Sequence, residues 1–149
     1  MKAVVYLALR LGLGVLFLVA GVLKLRDPYA FALEISNYQL LPALAPWLAA
    51  TLPAVEIAVG VALVAGTRAW VRAGALAAAL LSIVFTVAVA SAVARGVNVS
   101  CGCFGGDSSP VSWLTVLRDV ALVGAALWVY ARPDDAPSWP WRNAPLAPG

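Results

Sequence analysis

The sequence predicts an all-α protein: an integral-membrane four-helix bundle with a short outer interfacial segment and a disordered, proline-rich C-terminal tail. Three observations predict it. Apolar residues make up 63% of the 149 and charged residues 11%, a balance well outside the range of soluble domains. Four segments reach the roughly 20 apolar residues that a bilayer crossing needs. Small residues recur every fourth position, as Ala54, Ala58, Ala62 and Gly66 and again as Ala88, Ala92 and Gly96. Such rows let helix backbones approach where lipid supplies no hydrophobic force between helices.

The first span covers residues 3–23, is thinned by Gly12 and Gly14, and is interrupted by Arg10. A cleaved signal peptide fits this stretch poorly. Lys2 alone makes a weak charged region, Arg10 breaks the apolar core, and no small-x-small cleavage site follows. In the connection 26–46, Asp27-Pro28 reads as an N-cap with proline at the first helical position. Phe31, Ile35 and Tyr38 then share one helical face. This predicts a short helix lying on the outer membrane surface or folded over the mouth of the bundle; an ordinary amphipathic connector has the same pattern.

The second span covers 47–66 and contains Pro53, which kinks it one turn before Glu56. The third, 73–94, carries no charge, and the fourth, 113–131, contains Arg118-Asp119. The membrane domain is thus residues 1–132. The tail 133–149 holds five prolines with Trp139 and Trp141, a composition for a disordered cytoplasmic segment.

Charge and composition exclude much. The net charge of +3 is scattered without a basic patch, which argues against nucleic acid. Histidine is absent and the single methionine is the first residue, which removes most haem ligation, histidine metal sites and histidine-assisted nucleophiles. Lys2, Arg68, Arg72, Arg132 and Arg142 fall on one side of the membrane and Lys24, Arg26 and Arg95 on the other. By the positive-inside rule both termini are cytoplasmic, in the inner or plasma membrane. Trp47 and Trp113 then mark the outer interface, Trp70 and Trp128 the inner one.

Ionisable residues inside spans cost about 2.5–3.5 kcal/mol each at a helix centre, so Arg10, Glu56, Arg118 and Asp119 need partners. Glu56 is expected to pair with Arg118 or Arg10. Arg118 and Asp119 point about 100° apart, so each is expected to find its partner on another helix. Two readings stand side by side: polar contacts that hold the bundle in register, and a proton path or the polar wall of a cofactor pocket.

The only two cysteines sit in Cys101-Gly102-Cys103-Phe104-Gly105-Gly106, a polar loop between the third and fourth spans. The topology places this loop outside, where disulfides persist. Gly102 gives the backbone freedom for a tight Cys101–Cys103 ring, and strain makes such a bond an exchanging one. Ser109-Pro110 or Ser112 starts the next helix, whose N-terminal dipole favours a nearby thiolate; Arg95 adds to that. Copper or zinc is the rival reading. Two thiolates without histidine leave coordination incomplete, so no metal site is assigned.

An early arginine, Gly21-x-x-Lys24, Asp27-Pro28, Tyr38, Pro53-x-x-Glu56, Cys101-Gly102-Cys103-Phe104-Gly105 and Arg118-Asp119 together resemble the MauE family, within the wider DoxX-like membrane proteins. The resemblance covers residues 9–130, and its most specific part is the Cys-Gly-Cys-Phe-Gly block. It implies a four-helix membrane protein acting in thiol–disulfide redox chemistry. MauE is linked to maturation of the disulfide-rich small subunit of methylamine dehydrogenase with a thioredoxin-like partner. DoxX-like relatives are linked to passing electrons to quinone, the one cofactor that the resemblance brings in.

The resulting expectation is a thiol–disulfide oxidoreductase in the lipid bilayer, with an extracytoplasmic protein as its exchange partner. Cys101 and Cys103 are its redox pair. Gly102, Phe104, Gly105, Glu56, Arg118, Asp119, Lys24 and Arg10 support them. Membrane disulfide-generating enzymes of similar plan use two cysteine pairs, whereas this chain has one; either it does both jobs in turn or a partner supplies the second. A non-enzymatic assembly factor and a metal or small-solute carrier are the other classes compatible with the residues.

Overall fold

A computed structural model describes residues 1–97 and 111–132. The chain forms α1 (Lys2–Arg26), α2 (Pro28–Asn37), a 3₁₀ turn (Pro42–Leu44), α3 (Ala45–Ala65), α4 (Arg68–Ala94) and α5 (Trp113–Ala131). The described residues are all helix and connection. Lys2–Arg26, Pro42–Ala65, Arg68–Ala94 and Trp113–Ala131 are each long and apolar enough to cross a bilayer. At most 33% of any span is buried inside the bundle; the remaining apolar surface, including Val15, Val61, Val84 and Leu117, is the face a lipid solvent requires. This is a multi-pass membrane protein built as a four-helix bundle.

α1 packs chiefly on α3, and α4 on α5. The closest approach is made by glycines. A Cβ on Gly60 would stand 2.8 Å from the Gly14 carbonyl oxygen and 2.6 Å from Leu18 Cγ; one on Gly21 would stand 2.8 Å from the Pro53 carbonyl oxygen. The Ala54/Ala58 part of the expected small-residue row lies exposed, and Gly12 faces open space. Gly14, Gly21 and Gly60 therefore bring α1 and α3 together, while that alanine row faces outward.

Each connection has a local cause. Asp27 Oδ1 accepts a hydrogen bond from the Ala30 amide (2.9 Å) with Pro28 at the first helical position, so α2 begins where the cap signal lies. Arg10, buried at 3% exposure, donates through Nε to the Leu63 carbonyl (2.6 Å) and through Nη2 to those of Val64 (3.2 Å) and Gly66 (3.3 Å). It thus serves the carbonyls that the last turn of α3 leaves open, at the negative end of that helix dipole. Ser112 forms a capping box with Thr115 at the start of α5, choosing Ser112 over Ser109 as the helix signal. The proline-rich tail 133–149 lies outside the described residues.

Candidate functional site: an apolar pocket with charged pairs at the loop end of the bundle

α2 folds over the end of the bundle where α1 finishes and α4 leaves toward residues 98–110. Its Phe31–Ile35–Tyr38 face turns inward: Phe31 and Tyr38 are buried at 7% exposure each. Arg95 Nη2 donates to the Tyr38 carbonyl (2.6 Å), tying the end of α2 to the end of α4. Beneath α2 lies a pocket of about 310 Å³, at the lower end of the roughly 300–1,000 Å³ typical of small-molecule sites. Its walls are mostly apolar. They include Leu16, Phe17, Ala20 and Phe31, then Leu40 and Leu41, Leu48 and Leu52 on α3, Leu81, Phe85 and Ala88 on α4, and Leu122 on α5.

Into these walls the fold sets Lys24, Glu34, Tyr38, Glu56, Arg118 and Asp119. Lys24 and Glu56 form an ion pair through Nζ and Oε1, with side chains 5% and 12% exposed. The ammonium also sits 5.0 Å from the centre of the Phe31 ring, within the range of a cation–π contact. Asp119 Oδ1 accepts from Arg118 Nη2 at 3.0 Å and Nε at 3.2 Å. Among the described residues, Glu56 Oε2 and Asp119 Oδ2 are buried and have no hydrogen-bond partner. Burial pushes the Tyr38 phenol up to about 12, the Asp119 and Glu34 carboxylates push the same way, and Arg118 opposes them. Tyr38 is therefore a neutral hydroxyl beside two acids at any ordinary pH.

Three of the sequence-derived pairings change. Glu56 pairs with Lys24, not with Arg118 or Arg10. The reason is vertical offset: Gly21 sits level with Pro53 and Ile57, so α3 extends past the end of α1 and a "mid-span" Glu56 lies one turn below Lys24. Arg118 and Asp119 pair with each other through Asp119 Oδ1, because the flexible guanidinium of the 44%-exposed Arg118 bends back along its own helix to the buried carboxylate. Arg10 leaves the pocket set altogether, 14 residues before Lys24 on α1, or about 21 Å along the axis.

Lys24, Glu56, Arg118 and Asp119 thus share one pocket. Cys101, Gly102, Cys103, Phe104 and Gly105 lie outside the described residues. The sequence reading left Glu34, Phe17 and Phe85 out of the site. Glu34 was findable, because it falls inside the Phe31–Ile35–Tyr38 stripe at helical spacing. Phe17 and Phe85 carry no signal that separates them from core residues.

The site and fold define a class: a multi-pass membrane protein whose four helices enclose an apolar pocket with paired buried charges at one end. Within that class the chain belongs to the MauE family: the family described as methylamine utilisation protein MauE matches residues 2–132. Comparison with curated proteins and with solved structures gave no match.

Proposed function

We propose that this protein is a membrane thiol–disulfide oxidoreductase of MauE type in which Cys101 and Cys103 exchange a disulfide with an extracytoplasmic, thioredoxin-like partner. A partner thiolate attacks one sulfur of the Cys101–Cys103 bond; that bond breaks and a mixed disulfide forms. The partner's second thiolate then displaces the remaining cysteine sulfur. The partner leaves oxidised, and Cys101 and Cys103 retain two electrons and, as thiols, two protons. In this reading both termini are cytoplasmic, following the lysine and arginine asymmetry.

One observation carries the reading beyond family membership. Val97 and Val111, the described residues flanking the cysteine-bearing stretch, pack with Tyr38, Val89 and Ala92, and Tyr38 also lines the pocket. The chain leaves the bundle at Val97 and returns to it at Val111 beside Tyr38, a residue of the pocket wall. A quinone fits the donor set there. The walls are apolar and aromatic, Lys24 Nζ and the neutral Tyr38 hydroxyl are donor chemistry for a carbonyl oxygen, and the open oxygens of Glu56 and Asp119 are proton acceptors. Bound, a quinone supplies an acceptor for two electrons and two protons. The chain's own residues orient its ring, exclude water and hold protons at Glu56 and Asp119. Arg118 holds Asp119 in place through its two hydrogen bonds to Oδ1.

Single-cysteine variants test the exchange. Cys101→Ser and Cys103→Ser are each expressed in native membranes and probed for adducts that dissolve on reduction. At least one is expected to hold a partner as a mixed disulfide. If neither does, and the double variant leaves the partner's redox state and maturation unchanged, the cysteines are not an exchanging pair and the assembly-factor reading replaces this one.

A further inference from the structure

The cations are scattered along the sequence, but the fold gathers four of them at the end of the bundle away from the pocket. α1 begins at that end and α3 finishes there, since Arg10 reaches the carbonyls of Leu63 and Gly66. Tyr6 and Trp128 hold the start of α1 against the end of α5, with ring centres 6.2 Å apart. Arg72, near the start of α4, stands over the Tyr130 ring of α5, its guanidinium carbon 5.1 Å from the ring centre. Arg132 stands over Trp128 in the same way, at 5.4 Å. Lys2 and Arg132 each lie one turn beyond the Tyr6–Trp128 contact, and Arg68 lies one turn beyond Arg72. All four cations, Lys2, Arg68, Arg72 and Arg132, are exposed.

Among the described residues no acid answers them at that end. The acids there described are Asp27, Glu34, Glu56 and Asp119, and all lie toward the other end: Asp27 caps α2, and the other three line the pocket. An aromatic ring takes one face of a planar guanidinium and leaves its N–H edge to grip an oxyanion, and the fork of a phosphate matches that edge. The surface beside the cations is apolar: Val4 is 70% exposed, Val5 49% and Trp70 65%. A free anion covers none of that area, whereas a phosphate carrying acyl chains covers both kinds of surface. Such a ligand is at hand, because four helices that each have the length and composition to cross a bilayer bring both ends of the bundle to a headgroup layer.

We infer that this end of the bundle binds anionic phospholipid, with headgroup phosphates on the guanidiniums of Arg72 and Arg132 and acyl chains along the apolar side chains beside them. Lys2 and Arg68 add to the attraction. In the orientation proposed above this end faces the cytoplasmic leaflet, whose surface is negative. The inference is independent of the cysteine chemistry and of what the pocket holds.

The test titrates the full chain, in micelles of a neutral detergent, with phosphatidylglycerol or with phosphatidylcholine of the same acyl chains. Binding is followed by the lipids retained in native mass spectrometry and by the shift in thermal unfolding. Each basic residue near an anionic lipid surface strengthens binding about fivefold, so phosphatidylglycerol is expected to bind at least about tenfold more tightly than phosphatidylcholine. The Arg72→Gln/Arg132→Gln variant changes two exposed positions and is checked for folding by circular dichroism. It is expected to shrink that preference about fivefold or more, whereas Arg26→Gln, at the pocket end, leaves it unchanged. Added salt is expected to narrow the preference in the parent. Equal binding of the two lipids, a preference that persists in the double variant, or an equal loss in Arg26→Gln overturns the proposal. So does a stabilisation that inorganic phosphate reproduces at matched ionic strength, which would make the site one for a soluble anion.

Discussion

Breaking the Lys24–Glu56 pair from one side should destabilise the protein far more than removing it whole. Both side chains are nearly out of contact with solvent, at 5% and 12% exposure. That places the pair in the buried regime, where loss of one partner costs about 3–5 kcal/mol, and not in the exposed regime of about 0.2–1 kcal/mol. Lys24→Met leaves a carboxylate among leucines and phenylalanines. Glu56→Met leaves an ammonium whose remaining contact is the Phe31 ring at 5.0 Å. The double variant K24M/E56M leaves neither charge, and its stability should return to within about 1 kcal/mol of the parent or exceed it, as apolar replacements of buried pairs do. The assay is reversible unfolding of all four proteins in mixed micelles by denaturing detergent, read by circular dichroism. With two single losses of about 3 kcal/mol or more and a double variant within about 1 kcal/mol, the cycle should give a coupling of about 5 kcal/mol or more, a factor of several thousand in the folding equilibrium. A coupling below about 1 kcal/mol would refute the buried pairing.

Other consequences follow from single contacts. Arg10→Met removes three hydrogen bonds to the end of α3. It should cost about 3–5 kcal/mol of stability, since charged hydrogen bonds are worth about 1.5–3 kcal/mol each and are not additive, while ring-ligand affinity per folded molecule stays unchanged; equal stability of the variant in the same micelle assay contradicts the cap. Gly60→Ala puts a Cβ 2.8 Å from the Gly14 carbonyl oxygen and 2.9 Å from the Leu18 amide nitrogen, so α1 and α3 must separate, at about 1–3 kcal/mol; a neutral result means that these helices pack less closely. Tyr38 keeps its proton in the folded state up to about 12, whereas the unfolded phenol loses it near 10. Its contribution is therefore fully present below pH 10 and is lost as pH rises through 12. Stability measured from pH 9 to 11.5 should fall more steeply in the parent than in Tyr38→Phe; parallel profiles contradict the burial.

Much of the fold was legible because a membrane span is written in apolar length. The last helix was expected over 113–131 and spans Trp113–Ala131. α4 starts at Arg68, five residues before the apolar stretch, because hydropathy detects the lipid-facing length and not the helical turns that carry Arg68 and Arg72 into the interface. The site was half legible. Glu56, Arg118 and Asp119 stand out as charges in spans that must be buried or paired, and all three meet in one pocket. Their pairings were not legible. Depth counted from each helix's own end ignores that α3 overshoots α1, which hid Lys24 among the interface cations. Arg10 carries the same charge signal as the others, yet a backbone terminus satisfies it, and backbone carbonyls leave no mark in a sequence.

The central claim, that Cys101 and Cys103 are an exchanging pair outside the cytoplasm, is tested most directly by alkylating them in intact cells with a membrane-impermeant maleimide, with and without prior reduction. The account predicts labelling that depends on reduction, which places an oxidised pair outside the cytoplasm. Full labelling without reduction, or none under either condition, would contradict it.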